Sequence, residues 1–94
     1  MIYRFPALLD EDKDEPGFTI ISFPDLLGVG SECEFGQEEE IAKEVLHLAL
    51  SSAPHYRLMQ PTDIKHLKER YPNDRIIIVE VEIKDDDSEG GPNR

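Results

Sequence analysis

Cysteine is nearly absent: Cys33 stands alone, with no partner for a disulfide and no thiolate cluster for a structural zinc. Tryptophan is missing, and aromatic residues make up only 7% of the chain, so a core has to be built mainly from aliphatic side chains. Basic residues are scarce. Lys and Arg number 10 against 21 Asp and Glu, a formal net charge of −11. That balance argues against direct nucleic-acid binding, whose affinity rests on Lys and Arg contacts to phosphate. It favours solubility, and a basic protein as partner through electrostatic steering. Long apolar runs are lacking too: none approaches the roughly 18 residues of a membrane helix. Met1 to Pro6 has no basic segment followed by the apolar stretch of a secretory signal. These absences lead to the expectation of a cytoplasmic protein without membrane association or cofactor.

A length of 94 residues is that of one domain. Such a domain buries only about 60–65% of the surface its unfolded chain exposes, so partner binding can supply a large share of its stability. Ile2, Tyr3 and Phe5 suit a first strand over residues 1–9. Pro6 lacks an amide donor, which argues that this strand lies at a sheet edge or ends there. Asp10 to Gly17 is charged and closes in the turn pair Pro16-Gly17, and Phe18 to Phe23 is rich in aromatic and β-branched residues. The two runs predict a hairpin with a long acidic loop. Pro24 to Gly28 turns the chain, and Val29 to Phe35 holds a short third strand between glycines.

From Gln37 to Ala53 the apolar period becomes helical. With Ile41 at zero and about 100° per residue, Val45, Ala49, Ala42, Ala53 and Leu46 share one sector flanked by Leu48 and Leu50. Glu40, Lys43, Glu44, His47 and Ser51 lie opposite, and Glu38 and Glu39 in the first turn complement the helix dipole. Pro61-Thr62-Asp63 starts a shorter helix through Ile64, Leu67 and Tyr71, which Pro72-Asn73-Asp74 stops. Arg75 to Ile83 reads as a strand with Ile77, Val79, Val81 and Ile83 on one face and Ile76, Ile78, Glu80 and Glu82 on the other. The expected fold is α+β, a small mostly antiparallel sheet with two helices on one face, in the order β-β-β-α-α-β. Residues 1–83 form the binding domain, and residues 84–94, charged and bearing Gly and Pro, form a disordered acidic tail.

Within that order, several pieces resemble the HicB family, the antitoxin half of bacterial HicA–HicB toxin–antitoxin systems. Tyr3 and Phe5-Pro6-Ala7 are similar to its first strand, Gly17-Phe18 to its Gly-aromatic step, and Pro24-Asp25-Leu26-Leu27-Gly28 to its Pro-Asp-Leu-x-Gly corner. Ala42-Lys43-Glu44 is similar to its mid-helix stretch, and Arg75 to Ile83 to its closing strand. The likeness spans residues 1–83, the corner being its most specific piece. Where the family has a Gly-Asp-Thr-like step, this chain has Cys33-Glu34-Phe35 after a shorter loop, a departure that falls on the third strand and the helix cap. The resemblance implies a partial ribonuclease-H-like domain that binds a small basic toxin of double-stranded-RNA-binding-like fold and covers its mRNA-cleaving site. Many members add a C-terminal DNA-binding module. An acidic tail follows here, so direct DNA contact is not expected.

Candidate partner-contacting residues each have a plainer reading. Asp10, Glu11 and Asp12 begin an acidic loop suited to a basic surface, or simply a solvated hairpin. Asp25 is either a contact carboxylate or a turn cap. A metal-dependent nuclease needs several acids converging on a cation pair, whereas these acids are spread over loops, helix start and tail. Glu80 and Glu82 share a strand face with Ile76 and Ile78, as at the wet end of an amphipathic strand. His47, His55 and His66 show no metal spacing, Ser51-Ser52 no nucleophile elbow, and Cys33 no base nearby in sequence, so neither a catalytic residue nor a metal site is expected.

The apolar residues point instead to binding. Ile76 and Ile78 accompany Ile77 and Val79, and Ile20 accompanies Ile21, so both sheet faces are partly apolar. A merely wet second face would alternate cleanly. Ile76, Ile78 and Glu80 are therefore candidates for an interface with a toxin or a second copy, a loop cover being the plainer reading. The expected function is neutralisation of a small basic HicA-type toxin, with self-association. The alternative is a homo-oligomeric scaffold module of the same fold.

Overall fold

Residues 1–84 are described by the computed structural model. The strands are β1 (Ile2–Glu11), β2 (Phe18–Ser22), β3 (Gly30–Glu34) and β4 (Arg75–Glu82), and the helices α1 (Glu38–Ser52) and α2 (Ile64–Arg70). A short 3-10 helix, Pro54–Leu58, joins the helices where the sequence reads as loop. All strand pairs are antiparallel, in the order β3-β2-β1-β4. The antiparallel sheet with two helices is the fold class expected from the sequence. The acidic tail lies outside the described residues apart from Lys84.

β1 departs from expectation twice. It runs on through Glu11, so Asp10 and Glu11 are strand residues paired with Ile20 and Thr19, and the hairpin loop begins only at Asp12. It is also a central strand, despite Pro6. Met1 and Ile83 donate a hydrogen bond to each other, both at 2.9 Å, which makes them a doubly bonded pair. In an antiparallel ladder such pairs alternate with unbonded ones, so Pro6, opposite Ile78, turns its nitrogen away from β4. On that side the β2 ladder starts only at Leu8, and the missing amide donor of Pro6 leaves no gap in a ladder.

Between β2 and β3, glycine is required at one position. A Cβ on Gly30 would lie 2.5 Å from the Ile21 carbonyl oxygen, so any larger residue has to push the two strands apart.

One sheet face carries the main core. Phe5, Ala7, Leu9, Ile21, Phe23, Cys33, Val79, Val81 and Ile83 pack there with Ala42, Leu46 and Leu50 of α1. The buried stripe of α1 is thus centred on residues 42, 46 and 50, while Ile41 and Val45 are partly buried at its margin.

α2 contributes nothing to this cluster. Its one buried residue, Leu67, is fully covered, and Leu8 is 5% exposed; among the described residues they are the buried apolar side chains outside the main core apart from Pro6. Strand alternation turns Pro6 and Leu8 to the face away from α1, beside Ile76 and Ile78 of β4. α2 packs against β4, so Leu67 covers that second face. The helices do not share one face: the chain passes along one side of the sheet in α1 and returns along the other. Strand alternation had allowed either arrangement, because both faces of β4 carry isoleucine.

The crossing point is tied. Asp25 accepts hydrogen bonds from the Thr62 amide at 2.9 Å and from the Thr62 hydroxyl. Nearby, the Tyr56 hydroxyl donates to the Leu27 carbonyl at 2.9 Å, and Arg57 Nε donates to the Leu50 carbonyl at 3.0 Å, satisfying an acceptor near the C-terminus of α1.

Candidate protein-binding surface

β4 brings three of the expected contact residues together. Ile76 is half-buried, Ile78 is 49% exposed, and Glu80 is exposed beside it. Glu80 accepts a hydrogen bond from Arg4 Nε at 2.8 Å on the neighbouring strand, an ion pair open to solvent. Ile2, exposed, and Arg4 continue the same face along β1.

The other candidates lie elsewhere. Asp10 and Glu11 are exposed at the far end of β1, and Asp12 in the hairpin accepts the Asp14 amide at 2.9 Å. Asp25 sits beyond the opposite end of β2, and its carboxylate accepts from Thr62 rather than from its own turn, so its structural role is a long-range tie and not the turn cap read from the sequence. The seven candidates therefore do not form one patch; only Ile76, Ile78 and Glu80 do.

The hairpin also gathers acids that the sequence separates. Carboxylates of Asp12, Glu15 and Glu32 lie within 4.8 Å of one another, because β3 folds back along β2 and brings Glu32 to the loop. Glu15 and Glu32 are exposed, where water screens their repulsion.

Beside β4, α1 forms one wall of a shallow groove. Two adjoining clefts of about 320 and 640 Å³ share Lys43 and Glu80. The first adds Glu39, Ile78 and Val79, the second Glu44, Leu48, Val81 and Glu82. Leu48 is 66% exposed, which a helix-face reading assigns only to the flank of the apolar sector. Sequence reasoning missed this groove because its two walls are some thirty positions apart in the chain.

A second missed residue is Glu38. It is only 6% exposed, and its Oε2 accepts the Thr19 hydroxyl at 2.8 Å while Oε1 accepts the Gly36 amide at 3.0 Å. The backbone amide of Glu38 itself, then the Thr19 hydroxyl, hold the carboxyl below its ordinary range against the opposing effect of burial; the Gly36 amide and the charge of Arg75 add to this. Gly36 adopts φ +100°, a left-handed conformation that favours glycine and aims its N–H at the carboxylate. The signal was present in the spacing: Glu38 is one turn before Ala42 and continues the stripe of residues 42, 46 and 50. Next to it, burial and then the negative charge of Glu38 push the Cys33 thiol above its ordinary value. A protonated, covered thiol of this kind is a packing group.

Fold and surface together define a small antiparallel α+β domain with an acid-rimmed groove along one edge strand. Comparison with protein-family models, with curated proteins and with solved structures finds no match for this chain. Among the described residues, no helix is long and apolar enough to cross a membrane.

Proposed function

We propose that the chain is a non-enzymatic binding module of antitoxin type, which neutralises a small basic HicA-type mRNA-cleaving toxin by covering its active site. The observation that carries this reading is the β4 surface: Ile78, half exposed, beside the carboxylates of Glu80 and Glu82 on a chain of net charge −11. An exposed aliphatic side chain provides affinity on desolvation, while surrounding carboxylates set the sign of the partner and speed its approach. The resemblance of residues 1–83 to the HicB family supplies the class of partner. On this reading the protein acts in the cytoplasm, without a cofactor, and contacts neither DNA nor membrane directly.

A homo-oligomeric scaffold is the second reading, favoured by the unpaired outer edges of β3 and β4 among the described residues, which a second copy can also meet. Co-expression with the product of a short basic reading frame beside the gene separates the two. The antitoxin reading expects a stable complex and restored growth. Continued toxicity with no complex, together with a stable oligomer by light scattering, rejects it in favour of the scaffold.

A further inference from the structure

β4 lies at the sheet margin, with β1 on one side and, among the described residues, no strand on the other. The doubly bonded Met1–Ile83 pair sets the alternation along this strand. Residues 77, 79 and 81 direct their amides and carbonyls toward β1, while those of Ile76, Ile78, Glu80 and Glu82 point outward. Among the described residues these donors and acceptors meet no strand, and they form a row of the kind to which a further strand adds.

The surroundings of that row select what is added. Leu48 of α1 and Val81 offer apolar contact on the groove side, where alternate side chains of an incoming strand would enter. On the opposite side the remaining side chains would lie beside Ile78, Glu80 and Glu82. Glu44 adds a third carboxylate at the rim; Lys43 and the Arg4 guanidinium paired with Glu80 offset part of this charge, and Glu44 and Glu82 have no ion-pair partner among the described residues. A second copy of this chain would bring its own Glu44, Glu80 and Glu82 to the same edge, so like charges oppose self-pairing here. Acidic edge residues thus protect the strand from its own kind and favour a cationic one.

We infer that the outer edge of β4 binds an extended segment of a basic partner protein as an added strand, with apolar residues alternating with Lys or Arg. This rests on the reading of the chain as a binder of a basic protein, and it names the element that does the binding.

Amide hydrogen exchange of the full chain tests it directly, using a short peptide that alternates valine with lysine and a control that alternates valine with glutamate. The lysine peptide is expected to slow exchange at Ile76, Ile78, Glu80 and Glu82 by about tenfold or more, and the glutamate peptide to leave them unchanged. Ile78→Pro removes an outward N–H opposite Pro6 without removing a β1 ladder bond, and Glu80→Lys reverses a rim charge; each is expected to weaken the lysine peptide by about tenfold. Unchanged exchange at these amides under saturating lysine peptide overturns the inference, as does their protection in the free protein through a concentration-dependent dimer. A toxin complex that leaves these amides exchanging freely also overturns it, while the antitoxin reading survives. Peptide docking at β4 without neutralisation of any toxin supports the edge and removes the antitoxin reading.

Discussion

The Thr19 hydroxyl donates to Glu38 Oε2 at 2.8 Å between two side chains that are 5% and 6% exposed, joining β2 to the first turn of α1 inside the protein. Gln37, the residue that precedes α1, makes no side-chain hydrogen bond to the helix. The carboxylate of Glu38 instead organises this end of the helix by accepting from Thr19 and from Gly36, and it brings the helix dipole a negative charge.

Replacing Glu38 by alanine leaves the Thr19 hydroxyl without its partner in the interior and is expected to cost about 1–3 kcal/mol. Glu38→Gln keeps an acceptor and loses the charge, and is expected to cost about 1 kcal/mol at neutral pH. Because the folded carboxyl titrates below its ordinary value near 4.5, the stability from its charge is complete above that value. It is lost as pH falls through the lower folded value. Denaturant titrations of wild type and Glu38→Gln are therefore expected to converge below about pH 4.5. An equal gap at pH 3 and pH 7 would show that the ionised form contributes nothing.

Cys33 is expected to resist alkylation. Its thiol is 5% exposed and titrates above the ordinary value of 9.0, so little thiolate exists at neutral pH and reagents reach it mainly through opening of the fold. Iodoacetamide labelling followed by mass spectrometry should be on the order of a hundredfold slower in native protein than in denaturant. Comparable rates in both would place the thiol at the surface.

Leu67 is the fully buried anchor of α2 on the second face. Leu67→Ala is expected to lower the unfolding free energy by about 2–5 kcal/mol, as much as Leu46→Ala in the main core. Chemical denaturation measures both. A loss under about 1 kcal/mol at Leu67 alone would mean that α2 adds little to the cohesion of the fold.

Two carboxylates with similar standing in the sequence are expected to behave differently. Asp25 holds both the amide and the hydroxyl of Thr62, so Asp25→Ala should cost about 1–2 kcal/mol by thermal or denaturant unfolding. The Arg4–Glu80 pair has side chains 63% and 50% exposed, so Glu80→Ala should change stability by no more than about 0.5 kcal/mol. The same substitution should slow association with a basic partner, measured by surface plasmon resonance at low salt.

Much of the architecture is legible in short windows of sequence. The α1 boundaries, the Pro61-Thr62-Asp63 start of α2 and the alternation of β4 all depend on residues within a few positions of each other. Of the surface, the pairing of Ile78 with Glu80 on one strand face is readable from alternation alone. Leu48 beside Val81 and Glu32 beside Asp12 are not, since each pair meets only through folding.

By itself, then, the sequence determined the element types, their order and the acidic balance, because propensity, turn chemistry and charge are properties of neighbouring residues. Only the tertiary structure decided which face each element covers. β4 carries isoleucine on both sides, so its pattern cannot say which side meets α1; in the folded chain Val79, Val81 and Ile83 join the α1 cluster, while Leu8 and Leu67 are buried outside it. Tertiary structure alone likewise made Pro6 an interior residue, since its missing donor is harmless only where the β2 ladder has already ended. It also gave Glu38 a buried partner in Thr19, a contact that exists because β2 lies beneath the start of α1.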